Sequence, residues 1–251
     1  MVVGGVEPVS EQLRLFFVAP ELLDADEGAV VAMPEPLQRH VLAVLRLADG
    51  ARIELRDERA RSRVAEVVHG GSEPSLRLGP VRLLERPSGQ FIVLVPALIK
   101  PKRWAWLLQK ATELGADVIA PVESARCVVR WGDDPKKSER SRKILEEAAR
   151  QSEGHAPPKF LAPVSLEHRV TELAASGAQL VVACPGDDSP LLRVVDGERS
   201  VAVFTGPEGG FTDAEVNWLI GQGVRPVQLG PRILRAETAP IAALAALRLR
   251  A

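Results

Sequence analysis

Val203-Phe204-Thr205-Gly206-Pro207-Glu208-Gly209-Gly210-Phe211-Thr212-Asp213-Ala214-Glu215 joins an apolar run, a glycine-rich turn and a helix start without a break. Val201 to Thr205 predicts a strand. Thr212 and Glu215 have the spacing of a capping box, in which hydroxyl and carboxylate each satisfy a free amide of the first turn. Three glycines around one carboxylate are costly in backbone entropy, and useful where the chain must bend sharply or touch a ligand. An ordinary tight turn is the plain alternative. A phosphate loop is another, but Gly-x4-Gly-Lys-Ser/Thr and Gly-x-Gly-x-x-Gly are both absent, and Glu208 would repel phosphate. A neutral or cationic ligand suits this turn better.

The same alternation of strand and helix extends in both directions. Phe91 to Val95, Val118 to Val122, Gln179 to Cys184 and Val224 to Leu229 are apolar strand candidates. Arg103 to Leu114 predicts a helix, with Trp104, Leu107, Leu108, Ala111 and Leu114 at helical spacing and Gly115 as its stop. Asp134-Pro135 opens a helix toward Ser152, Ser165 to Ser176 is amphipathic, and Ile241 to Leu249 forms a last helix. Apolar strands separated by helices predict an α/β fold with a mostly parallel sheet covered on both faces. Ligands of such sheets bind beyond the carboxyl ends of the strands, here the loops after Cys184, Thr205 and Leu229. The last of these, Leu229-Gly230-Pro231-Arg232-Ile233-Leu234-Arg235-Ala236-Glu237-Thr238-Ala239-Pro240, brings Arg232, Arg235 and Glu237 to that edge. Thr238 or Glu237 is a helix cap there. An Arg–Glu ion pair without a catalytic role is the alternative reading.

Residues 1–86 have another texture. Arg52 to Arg56, Arg63 to Val67 and Ser75 to Leu78 alternate with period two, which predicts strands wet on one face. Ala48-Asp49-Gly50 and Gly70-Gly71-Ser72 read as turns, and Pro36 to Leu45 as a short helix. This predicts a small β-barrel or sandwich of roughly 80 residues. Arg86-Pro87-Ser88-Gly89 is the linker to a second domain, 87–251.

The composition is that of a globular protein, 46% hydrophobic and 26% charged. Two cysteines and four histidines argue against a disulfide framework and a zinc site, so no metal is expected. The start lacks a secretory signal and no apolar run is long enough for a bilayer, which points to a cytoplasmic protein without a membrane partner. Net charge is −1, but its distribution is uneven. Residues 1–38 hold seven acids, among them Glu7 and Glu11, and one base, whereas residues 39–63 hold seven arginines against four acids. Lys100, Lys102, Arg103, Lys110, Arg126, Arg130 and five further bases to Lys143 form a second basic stretch. Local patches attract phosphate even on a neutral protein, and a solvated charged surface is the alternative.

Phe204-Thr205-Gly206-Pro207-Glu208-Gly209-Gly210-Phe211, followed by Leu229-Gly230-Pro231-Arg232-Ile233-Leu234-Arg235-Ala236-Glu237-Thr238-Ala239, closely resembles the bacterial 16S ribosomal RNA (uracil-N3) methyltransferase family of the SPOUT class. Arg14-Leu15-Phe16-Phe17, His40-Val41-Leu42-Ala43-Val44-Leu45-Arg46, Gln109-Lys110-Ala111-Thr112-Glu113-Leu114-Gly115 and Ser124-Ala125-Arg126-Cys127 are similar to further signatures of that family. The resemblance departs at Arg150-Gln151-Ser152-Glu153-Gly154-His155, where the family carries Glu-Gln-Ser-x-Arg. Arg150 or His155 is then a candidate substitute for the missing arginine.

The resemblance implies a PUA-like RNA-binding barrel, then a domain with a C-terminal trefoil knot that binds S-adenosylmethionine and works as a homodimer on 16S rRNA of the small ribosomal subunit. It implies cofactor contacts from Cys184, Thr205, Gly206, Pro207, Glu208, Gly209, Gly210, Leu229, Gly230, Ile233, Leu234, Thr238 and Ala239. Glu208 would face the sulfonium or amino group. Arg235 would stabilise the developing uracil anion and Glu237 would orient Arg235, or help accept the proton through water. Arg39, His40 and Arg46 would join Lys102, Arg126 and Arg130 in binding RNA. Trp104 fits the helix core, and Trp106 is a candidate stacking surface. A different RNA target, a catalytically silent RNA-binding protein and a nucleotide hydrolase are the competing functions; the last lacks a phosphate loop.

Overall fold

The computed structural model describes residues 13–70, 73–84, 89–132, 134–154 and 156–250. Glu7, Glu11, Gly71, Ser72, linker residues 86–88 and His155 lie outside the described residues. The chain divides into two compact units, 1–86 and 87–251.

The first unit holds β1 (Arg14–Phe17), β2 (Val30–Ala32), β3 (Arg52–Arg56), β4 (Arg61–Val68) and β5 (Ser75–Leu83) in one sheet of order β1-β3-β4-β5-β2. β1 runs parallel to β3; the other pairings are antiparallel. No ladder between β1 and β2 closes this sheet among the described residues. Period-two alternation sends Ile53, Leu55, Ala65, Val67, Leu76 and Leu78 into one core with Phe16, Leu23 and Val41. The short helix is α1 (Glu35–Gln38), which widens into a π-helical stretch at Arg39–Val44 closed by the Leu45 amide on the His40 carbonyl.

The arginine-rich stretch 39–63 is largely engaged within its own unit. Arg63 is 1% exposed. It donates to the carbonyls of Gly79, Leu23 and Ala25, and burial lowers its pKa. Arg61 pairs with Asp24 and with fully buried Asp57, and Arg56 pairs with Glu54. Arg39 and Arg46 remain exposed, while the His40 ring stands edge-on to Phe16 at 5.5 Å.

The second unit alternates strand and helix: β6 (Ile92–Pro96), α2 (Pro101–Glu113), β7 (Val118–Ile119), β8 (Val122–Glu123), α3 (Pro135–Gln151), β9 (Lys159–Phe160), β10 (Val164–Ser165), α4 (Leu166–Ala175), β11 (Gln179–Ala183), α5 (Leu191–Val194), β12 (Val201–Thr205), α6 (Asp213–Gly221), β13 (Arg225–Val227) and α7 (Thr238–Arg248). Six strands form a parallel sheet of order β13-β11-β12-β6-β7-β9. β6 and β12 are buried along their whole length, as expected for strands covered on both faces. The expected strand 118–122 is instead two short ones. Pro121 has no amide to extend the ladder, and β8 pairs with β10 outside the main sheet. The last helix starts at Thr238, not Ile241, because the Arg235 carbonyl already accepts from the amides of Thr238 and Ala239. Neither Thr238 nor Glu237 caps it with a side chain. No helix among the described residues is long and apolar enough to cross a membrane.

Arg248 fastens this last helix to the far side of the sheet. Its guanidinium donates to the carbonyls of Gln90 and Gly115 and to the Asp117 carboxylate, which also accepts from the Ile92 amide. Charge-assisted bonds of this kind contribute about 1.5–3 kcal/mol each when a buried partner is left behind, and less where water can replace them. Arg248→Ala should therefore lower the Tm of this unit by roughly 5–10 °C, from about 2 kcal/mol or slightly more. Scanning calorimetry checks this, and an unchanged transition would show that the staple carries no stability.

Candidate functional site

A cavity of about 730 Å³ opens beyond the carboxyl ends of β11, β12 and β13. The glycine turn forms one wall. Thr205 is the last residue of β12, and its carbonyl accepts from the Ala97 amide. The Gly210 amide closes the turn on the Pro207 carbonyl, with Gly210 at φ 68°. α6 follows at once through the Thr212–Glu215 capping box. A Cβ on Gly206 would lie 2.8 Å from the Phe211 nitrogen, so this turn folds on itself too closely for a side chain.

The turn is also braced from outside. Arg126 donates to the carbonyls of Gly209 (2.8 Å) and Phe211 (3.2 Å), and Glu215 accepts from the Ala125 amide. The guanidinium expected to meet RNA is thus engaged with the loop. Arg130 is similarly engaged with the Ser124 carbonyl and Glu123. Lys102 is exposed. Trp104 is buried and donates to Ser141, and Trp106 is 41% exposed.

The opposite wall is the loop after β13. Leu229, Gly230, Ile233, Leu234, Arg235 and Ala239 line the cavity, as do Arg232 and Ala236. With Cys184, Thr205, Gly206, Pro207, Glu208 and Gly210, most of the expected cofactor contacts surround one space. Gly209 and Thr238 are not among its lining residues; Gly209 lies under the Arg126 side chain. Burial, with help from Asp187, raises the pKa of the Cys184 thiol and keeps it neutral.

Two carboxylates have partners other than those expected. Glu237 pairs at 3.7 Å with Arg103 of α2, and no Glu237–Arg235 pair is present among the described residues. Glu208 accepts from the Lys100 amide at 3.2 Å and lies 3.7 Å from the same Arg103. Arg103 lines the cavity and was not a candidate from the sequence. It lies on a helix whose periodicity reports only the apolar face, and a contact across more than 100 residues leaves no local trace. Arg235 is exposed, with no side-chain hydrogen bond or ion pair described.

The lining mixes three arginines, Arg103, Arg232 and Arg235, with two acids, Glu208 and Asp213, and apolar surface, which suits a ligand with both charged and apolar parts. Phe211, Leu229, Leu234 and Ala239 supply apolar surface. The Thr205 hydroxyl, on the cavity lining, is buried without a hydrogen-bond partner, a polar group that a ligand there would satisfy. One Glu237 oxygen is also buried without a partner, but Glu237 is not among the lining residues. The lining and the free hydroxyl are consistent with S-adenosylmethionine, which has an apolar base face, polar ribose and amino-acid groups and a sulfonium charge. Among the described residues, no group of three or more His, Cys, Asp or Glu side chains is placed to hold a metal ion.

The family model for the RNA methyltransferase domain matches residues 86–248. Ribosomal RNA small subunit methyltransferase E of Synechocystis is 32% identical over 91% of this chain and 75% of its own length. The protein of the same name from Mycobacterium bovis is 32% identical over 88% of this chain and 87% of its own. Among solved structures, a ribosomal RNA small subunit methyltransferase E from Neisseria gonorrhoeae, bound to S-adenosyl methionine, superposes with TM-score 0.83 at 28% identity, over 94% of this chain and 96% of that one.

Proposed function

The chain belongs to the RNA methyltransferase family matched above, alongside the ribosomal RNA small subunit methyltransferases E, and from that premise we propose that it transfers a methyl group from S-adenosylmethionine to N3 of a uridine in 16S rRNA, on the assembled small subunit. The observation that carries this reading is the single cavity walled by both loops, with the unengaged Arg235 on its wall. The reading includes a cytoplasmic homodimer, as the resemblance implies. It also includes the knotted threading that the resemblance implies for the two loops and the last helix.

When bound, S-adenosylmethionine supplies a methyl group made electrophilic by its sulfonium. Gly206, Gly210, Leu229 and Leu234 would hold it through main-chain groups, Phe211 and Ala239 through apolar contact, and Thr205 through its unpartnered hydroxyl. Holding nitrogen and methyl in line lowers the barrier by several kcal/mol. The target nitrogen carries a proton that is acidic only above neutral pH. Arg235 would stabilise the base as that proton leaves, by charge-assisted hydrogen bonds to a carbonyl oxygen. It stays protonated, so it is not the proton acceptor. Glu237 has one buried oxygen with no partner, which suits acceptance through water. The target base must leave its stack to reach the methyl group, at a cost of a few kcal/mol. Exposed Arg39, Arg46, Lys102, Arg126 and Arg130, with His40, are the candidates for RNA contact.

Labelled methyl transfer to purified small subunits, compared with naked 16S rRNA, tests the reading. The label should appear on subunits, as N3-methyluridine after digestion. Label in a tRNA or on another atom would change the target. Absence of label on every RNA would make the chain a silent RNA-binding protein.

A further inference from the structure

We propose that Arg103 is a positioning residue for the donor pocket, tying the carboxylate of the glycine turn to the carboxylate of the Arg-Glu turn. The inference rests on the donor pocket proposed above. Arg103 is in the first turn of α2, where the helix dipole disfavours a cation and where no acid is present. Its placement is therefore poor for the helix itself. It is explained by what it faces: Glu208 lies 3.7 Å from Nη1 and Glu237 lies 3.7 Å from Nε. Two different nitrogens of one planar group thus reach the turn after β12 and the loop before α7.

Each carboxylate needs this cation for a separate reason. Glu208 also accepts from the Lys100 amide, so it supplies the negative charge that the start of α2 lacks. The Glu237 side chain is 13% exposed and its inner oxygen has no donor, so Arg103 is the cation that balances it. Without that cation, a partly buried carboxylate would move its loop toward water. Leu234 and Arg235 belong to the same loop and Ala239 to the helix it leads into, so the wall of the cavity would move with it.

Titration calorimetry of the full chain with S-adenosylmethionine and with S-adenosylhomocysteine tests the tie, alongside scanning calorimetry. Arg103→Gln should weaken both ligands together, about fivefold to tenfold, since partly exposed ion pairs contribute up to about 1 kcal/mol each. The Tm should hold. Arg103→Lys should recover part of the loss, because one ammonium is a single point charge and cannot present two separate nitrogens. Adding Glu237→Gln to Arg103→Gln should cost nothing more. Unchanged affinity in Arg103→Gln overturns the inference. So does a selective loss of the sulfonium ligand, which would indicate a charge effect without a tie, or a fall in Tm of more than about 10 °C, which would indicate a role in the fold alone. If the unaltered chain binds neither ligand, the donor-pocket reading falls first and this inference with it.

Discussion

Arg235→Ala is expected to bind S-adenosylmethionine with unchanged affinity and to lose methyl transfer by a factor of about 10² to 10³, the scale of removing one preorganised donor from a developing anion. The separation follows from how the residue is held. Its carbonyl accepts from the amides of Thr238 and Ala239, so the main chain is fixed at the start of α7. Its side chain is exposed, lines the cavity and is described with no partner, leaving all its donors for a substrate. Glu237, the expected orienting group, is engaged with Arg103, so removing Arg235 leaves no buried carboxylate unbalanced. Single-turnover transfer at saturating donor, with calorimetry for the donor, separates the two effects. Arg235→Lys should recover little, because an ammonium keeps the charge but loses the planar donor pair. Normal turnover in Arg235→Ala would remove the residue from the chemistry.

The two loops that wall the cavity were legible because each announces itself locally. A glycine-rich turn ahead of a capping box, and two arginines and a glutamate at a strand end, need no knowledge of the rest of the chain. The parallel sheet was legible for a similar reason: β6 is apolar at every position and β12 at all but its last, Thr205, as expected of strands covered on both faces. What escaped was pairing across the chain. The arginines of 39–63 read as a basic patch, yet Arg63 is buried under three carbonyls and Arg61 holds two carboxylates. Arg126 read as an RNA contact, and its bonds to the glycine turn left no trace in the sequence. Arg103 read as one base of the second basic stretch, and in the fold it meets both loops. A charge announces its sign in sequence but not its partner, and at the protein surface and at a site the partner decides what it does.

Gly206→Ala should be the most damaging of the three single-methyl substitutions in the glycine turn, and the comparison isolates why that turn is made of glycine. An added Cβ at Gly206 would meet the Phe211 nitrogen at 2.8 Å, the Gly210 carbonyl carbon at 2.9 Å and the Gly210 Cα at 3.0 Å. All three are main-chain atoms of the same turn. They cannot yield without disturbing the Gly210–Pro207 closure, the capping box on α6 and the Arg126 brace. At Gly209 the added carbon meets only the Arg126 side chain, at 3.3 Å, and a flexible side chain can withdraw. At Gly210 there is open space, but φ is +68°, so alanine costs about 1–2 kcal/mol of backbone strain. Overpacking against main chain costs about 1–3 kcal/mol, and here it falls on the cavity wall, so donor affinity should drop roughly tenfold to hundredfold in Gly206→Ala. Gly210→Ala should lose less and Gly209→Ala least, in calorimetric titrations of otherwise folded chains. If Gly209→Ala lost the most, the donor would be touching the face of the turn now covered by Arg126, and the cavity wall would have been drawn on the wrong side of the loop.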